Sequence, residues 1–136
     1  MSDKLYNLTN AKLSEVFAVE VAGWTHDKDL SRPWRKTREG EWTNESPTFA
    51  ADVNAVLPWL EKCAPVEIVF LGDNPAKHEH EWLFIPKSAT GWVVSFYTTP
   101  HAKRELVIAP TLARAICIAL IIIMRAKQQP PKQQGV

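Results

Sequence analysis

Arg32, Trp34, Arg35, Lys36, Arg38 and Trp42 crowd into one short polar stretch of the chain. Their types suit recognition. Guanidinium and ammonium groups pair with phosphate or carboxylate, and indole rings stack on bases or aliphatic surfaces. Trp and Arg also dominate the energetics of protein–protein contacts. The competing reading is structural. Burial explains most tryptophans, so Trp34 and Trp42 can instead be hairpin core residues with the charges directed outward.

Other groups could also carry chemistry. His78 and His80, interleaved with Glu79 and Glu81, share one face if the segment is a strand, so two imidazoles could meet one ion. A structural zinc needs four ligands and a catalytic one needs three plus water, and no further pair stands at ligand spacing. A solvated loop is expected there, with no metal assigned. His26, Asp27 and Asp29 offer a base and two carboxylates, but beside Lys28 in a polar loop they read as solvated ion pairs. Cys117 lies within an apolar run, the setting of an inert thiol, and Cys63 falls near a helix C-terminus, which does not activate one. The five glycines are not clustered, so there is no phosphate-cradling loop. No nucleophile elbow and no zinc-binding His-Glu helix motif occurs. No catalytic residue and no cofactor is assigned, and a non-enzymatic protein is expected.

Composition narrows the choice. A chain of 136 residues is one domain by size. Its net charge of +1 and pI near 7.8 argue against a nucleic-acid coating protein, whose affinity comes from a basic surplus. Two cysteines cannot build a disulfide scaffold, which fits a reducing compartment. Residues Met1 to Leu8 are polar and read as no secretory signal. Ala115 to Met124 is wholly apolar but would span only about 15 Å as a helix, roughly half a bilayer core. It reads as a buried helix, with no membrane partner.

The elements that must position these groups follow from periodicity. A first helix is predicted from about Asn10 to Ala22, capped by Thr9 or Asn10, with Leu13, Phe17, Val21 and Trp24 on one face. Gly23 should end it in the left-handed conformation. Residues 25–46 are polar, and either short strands or a mobile functional loop is expected there; a hairpin centred on Glu39 and Gly40 would place Trp34 and Trp42 on its arms. A second helix is predicted from about Ala50 to Cys63, bent by Pro58 on its outer face. Strands are predicted at Val66 to Leu71, Trp82 to Ile85 and Trp92 to Thr98, with an edge strand at Glu105 to Ile108. Gly91 ends a turn where positive φ is expected. The last helix runs from Pro110 to about Lys127. Residues 1–127 form the domain, and the tail 128–136 lacks apolar anchors and should be disordered.

Four blocks carry a family likeness. Leu13, Val16, Phe17, Ala18, Val21, Gly23 and Trp24 form the first, and Phe49, Asp52, Val53, Ala55, Leu60, Glu61 and Lys62 the second. Gly91, Trp92, Val94 and Phe96 form the third, and Leu112, Ala115, Ile116, Cys117 and Ala119 the fourth. In these blocks the chain resembles the phage ABA sandwich domain family of small bacteriophage and prophage proteins. The resemblance implies an α+β fold, a three-layer α/β/α sandwich with helices on both faces of a small, mainly antiparallel sheet. Ala50 and Ala51 replace the Ser and Thr usual before the family's aspartate, leaving Ser46 or Thr48 as the expected cap. The segment Asp73 to Glu81 looks like an insertion. No catalytic residue carries over.

Together these features give the expectation of a bacteriophage accessory protein in the host bacterial cytoplasm. It would bind a host factor, in a counter-defence role, through Arg32, Trp34, Arg35, Lys36, Arg38 and Trp42. The alternatives are a module that sequesters a signalling nucleotide between these rings and arginines, and a small metal-dependent hydrolase built on His78 and His80. A homodimer is also expected. Arg114 and Arg125 mark the most polar direction of the last helix, Ile118 and Ile121 flank it, and Ile122 lies just beyond. Such a strip asks for a cover. A two-fold copy is one candidate, and residues 25–46 folding over Ile118 are the other.

Overall fold

A computed structural model describes residues 2–62, 66–72, 91–97 and 104–128. The chain begins with a short helix, α1 (Ser2–Tyr6), then α2 (Asn10–Glu20), the two-residue strands β1 (Thr25–His26) and β2 (Trp34–Arg35), and α3 (Val53–Leu60). Strands β3 (Val66–Gly72), β4 (Gly91–Tyr97) and β5 (Arg104–Ala109) form an antiparallel sheet in that order, and α4 (Leu112–Gln128) closes the fold. The protein is α+β. The predicted strand at Trp82 to Ile85, the His78 and His80 cluster, Cys63 and residues 129–136 lie outside the described residues.

Helix α4 is the centre of the molecule. Ala115, Ile116, Ile118, Ala119, Leu120 and Ile123 are all fully buried. One side of the helix packs on β4 and β5, and other sides pack on α2 and α3. Alternation in the sheet supplies the matching surface: Val94, Phe96, Val107 and Ala109 join the same core. Among the described residues the order of packing is therefore sheet, α4, then α2 and α3. No helix among them is long and apolar enough to cross a membrane.

The arginines of α4 reverse the expected use of one face. Arg114, Ile118, Ile121 and Arg125 fall on one stripe, and that stripe is turned inward. The Arg114 guanidinium donates to Asn10 Oδ1 at 2.8 Å, Tyr6 O at 3.0 Å and Leu8 O at 2.6 Å. Arg125 grips Glu20 with two bonds, at 2.6 and 2.9 Å. The two helices thus run parallel, pinned at both ends of α2. Ile118 and Ile121 are fully buried within the chain, and Ile122 is half-buried against the core. The expected apolar strip is not on the surface, because α2 and α3 already cover α4. Long arginine stems bury along an apolar seam while their heads reach polar groups at its ends, so charge at both ends did not mark a solvent face.

Local signals account for the helix ends. Thr9 caps α2 by accepting from Lys12 N–H at 3.2 Å. Gly23 has φ +78°, and across it Trp24 N–H reaches Ala18 O at 2.8 Å. Helix α3 starts at Val53, three residues later than expected. The turn before it is held by Ala51 and Asp52 N–H on Thr48 O, and Asp52 itself caps Asn54 N–H at 2.9 Å. Neither Ser46 nor Thr48 is the side-chain cap. The Ala50 N–H that precedes the helix is satisfied by buried Ser14 Oγ, 2.8 Å away on α2. Pro58 lies inside α3 on its exposed side, as expected. Gly91 takes φ +89°, and a Cβ there would lie 2.4 Å from Ala109 O.

Candidate functional site: the tryptophan hairpin and its cleft

The segment after α2 folds as a small three-arm ribbon. Thr25 and His26 pair antiparallel with Arg35 and Trp34. Trp34 also bridges Thr43, through bonds of 3.0 and 2.6 Å. Gly40 N–H closes the turn on Thr37 O at 3.1 Å. The hairpin arms therefore lie about where the turn residues placed them, and a third arm comes from residues 25–26.

A ladder of rings ties this ribbon to the core. Phe17 and Phe49 have centroids 4.6 Å apart, Phe49 meets Trp24 at 5.3 Å, and Trp24 meets Trp34 edge-on at 5.9 Å. His26 stacks on Trp34 at 3.9 Å with the planes 3° apart. Trp34 is only 3 % exposed. Its ring is occupied by protein neighbours, so among the six candidate residues Trp34 is a support rather than a contact. Stacked and edge-to-face rings are worth about 0.5–1.5 kcal/mol each beyond burial. The ladder thus anchors the Trp34 arm of the hairpin to the core.

Strand alternation divides the other candidates between two faces. On the Trp34 side, Lys36 Nζ lies over the Trp24 ring, 5.2 Å from its centroid, and forms an ion pair with Glu45. On the opposite side, the Arg35 guanidinium lies over the Trp42 ring at 4.8 Å. Arg32 and Arg38 are exposed and flank this second face in sequence. Among the described residues neither makes an ion pair. The six residues do not form one site. Arg35 and Trp42, both half-buried, form a cation–π pair on the face opposite Trp34, with Arg35 Nε buried and making no hydrogen bond, while Lys36 belongs to a cleft.

That cleft holds about 330 Å³. Its floor is apolar, made by Trp24, Pro47, Phe49 and Ala55, and its rim carries Lys36, Glu45, Ser46 and Thr48. The lining comes from the turn after α2, the hairpin, the connection to α3 and α3 itself. No local pattern in the sequence joins these segments. The available signals were Trp24 directly after the helix-ending Gly23, and Pro47 two residues before Phe49.

Of the remaining candidates, His26, Asp27, Asp29 and Cys117 are among the described residues. Asp27 is used locally, its Oδ1 accepting from Asp29 N–H at 3.1 Å. His26 is engaged with the Trp34 ring. Cys117 is fully buried on α4, and burial pushes its thiol far up from the ordinary value. Among the described residues no group of three or more His, Cys, Asp or Glu stands close enough to hold a metal ion.

No protein-family model, no curated protein and no solved structure matches this chain.

Proposed function

We propose that this protein is a non-enzymatic bacteriophage accessory protein that binds a host protein in the bacterial cytoplasm, with a counter-defence role. The phage origin rests on the four sequence blocks that resemble the ABA sandwich family. The observation that supports the binding reading is the half-buried Arg35–Trp42 pair, on the face of the ribbon opposite the ring-packed Trp34. A Trp and an Arg already packed on each other have less side-chain freedom to lose on association, and they are the residue types enriched at hot spots. Arg32 and Arg38, both exposed, flank the pair in sequence.

A nucleotide module is less well supported. Stacking would need an open ring face, and Trp34 is buried against His26 and Trp24. In the cleft a phosphate would meet Lys36, which is already paired with Glu45. Outside it Arg32 and Arg38 are exposed and make no ion pair among the described residues, so an arginine-bound phosphate beside Trp42 is the form of this reading that stands.

The test is affinity capture from host bacterial lysate with quantitative mass spectrometry, comparing the wild type with Arg35→Ser/Trp42→Ser. The proposal expects one host protein enriched by the wild type and lost by at least tenfold in the variant, with the melting temperature shifted by only a few degrees. Equal enrichment by both proteins, or no enriched host protein, would refute it.

A further inference from the structure

The cleft beside the hairpin has the features of an anchor pocket for a peptide. Its apolar floor is closed on the inside by Phe49, whose ring is packed against Phe17 and Trp24. The polar groups sit at the mouth. Apolar centre and polar rim is the arrangement in which one inserted side chain gains most, because the rim excludes water around it. The volume, about 330 Å³, is at the lower end of the range for ligand pockets and suits one large side chain.

The rim narrows the choice of occupant. The charge of Lys36 is matched by Glu45, so the mouth holds both signs and no surplus. That favours a group with both donors and acceptors and no net charge, such as a peptide main chain, over a phosphate or a lone carboxylate. The backbone beside the cleft supplies the complement. Among the described residues, the N–H groups of Ser46 and Thr48 and the carbonyls of Glu45, Ser46 and Pro47 make no hydrogen bond. Pro47 disfavours the helical region for Ser46 and so keeps this run from coiling up. An unpaired run of backbone next to a side-chain pocket is the pairing used in strand addition, where main-chain bonds give affinity and the pocket gives selectivity.

We infer that the cleft between Trp24 and Ala55 binds an extended segment of a protein partner, inserting one large apolar side chain while its main chain lies along residues 45–48. The partner class rests on the host-protein reading above. The surface does not: the cleft lies on the Lys36 side of the ribbon, opposite Arg35 and Trp42. A partner that uses both faces would grip the ribbon from two sides.

The experiment is an NMR titration of isotope-labelled protein with capped pentapeptides, acetyl-Gly-Ser-X-Ser-Gly-amide, where X is Phe, Leu or Ala. The Phe and Leu peptides should move the Trp24 indole and the amides of Ser46, Thr48 and Ala55, with half-saturation at roughly 1 mM, the strength of one buried anchor. The Phe ring should show intermolecular contacts to the Ala55 methyl in the unmodified protein. The Ala peptide should bind at least tenfold more weakly, and Ala55→Leu, which fills the floor, should weaken the Phe peptide to the same extent. No shift at the cleft by about 10 mM peptide, or shifts without contacts to Ala55, would overturn the inference. So would N-acetylphenylalaninamide binding as tightly as the pentapeptide, which would mark a small-molecule pocket. The two readings fail separately. Peptide binding at the cleft without any captured host protein would sink the host reading alone. Capture that depends on Arg35 and Trp42 but not on Ala55 would sink the cleft alone.

Discussion

Replacing Arg114 by Met should destabilise the protein strongly for a residue that is not in the core. The side chain keeps its apolar stem, so packing along α4 is largely preserved. What is lost is three hydrogen bonds from one guanidinium, to Asn10 Oδ1, Tyr6 O and Leu8 O. A bond from a charged group contributes about 1.5–3 kcal/mol where water cannot replace it. The bonds to Asn10 and Tyr6 are exposed, so water takes over most of their value. The bond to Leu8 O, at 2.6 Å, is partly buried and keeps the larger share. The expected loss is about 2–3 kcal/mol in all, which for a domain of this size lowers the melting temperature by roughly 6–12 °C. Thermal unfolding by circular dichroism reads the total. Amide exchange reads the place: α1 should open first, and the Ile108 amide, which donates to the Tyr6 hydroxyl at 3.3 Å, should lose protection with it. Arg114→Lys keeps the charge without the planar fork and should fall between the two. A melting temperature within 1–2 °C of the wild type, with α1 still protected, would show that the Arg114 clamp contributes nothing measurable and that α2 is held by its apolar face and the Arg125–Glu20 pair.

Four further outcomes follow from the geometry. Gly91→Ala combines a positive φ with a Cβ placed 2.4 Å from Ala109 O, and should cost about 2–4 kcal/mol in chemical denaturation. Gly23→Ala has the same kind of φ but open space around it, so its cost should stay near 1–2 kcal/mol by the same assay. Trp34→Ala removes a ring from the ladder and should cost about 3–5 kcal/mol, whereas Trp42→Ala should cost under about half of that. In a Cys63→Ser background, Cys117 should resist a thiol reagent at pH 8 in the folded protein and react at once in denaturant; fast labelling of the native state would contradict its burial.

The sequence was most legible where one residue settles one local choice. Gly23 could end α2 only through a backbone conformation that glycine tolerates, and it does so. Leu13 and Phe17 fixed the inner face of α2 by period alone. The same logic failed on α4, where the residues between Arg114 and Arg125 are apolar nearly all round. Period then carries no direction, and the arginines, read as solvent-facing, instead bond the chain next to them. Asp52 caps α3 through its own side chain, so the alanines before it, which depart from the family pattern, do not move the cap to Ser46 or Thr48. The ribbon was half legible: alternation predicts that Trp34 and Arg35 point opposite ways, but only the ring ladder from Phe17 to His26 decides which of them is inside. The cleft was not legible, since Trp24, Pro47 and Ala55 meet only through the folded chain.

Contact between the Arg35–Trp42 face of the hairpin and a host protein is read by placing a photo-crosslinking phenylalanine analogue at Trp42 in the protein expressed in host cells. The control site is Val19, which is exposed on α2. Recognition by the hairpin predicts a light-dependent adduct with one host protein from position 42 and none from position 19. An adduct of equal yield from both positions, or none from position 42, would contradict it.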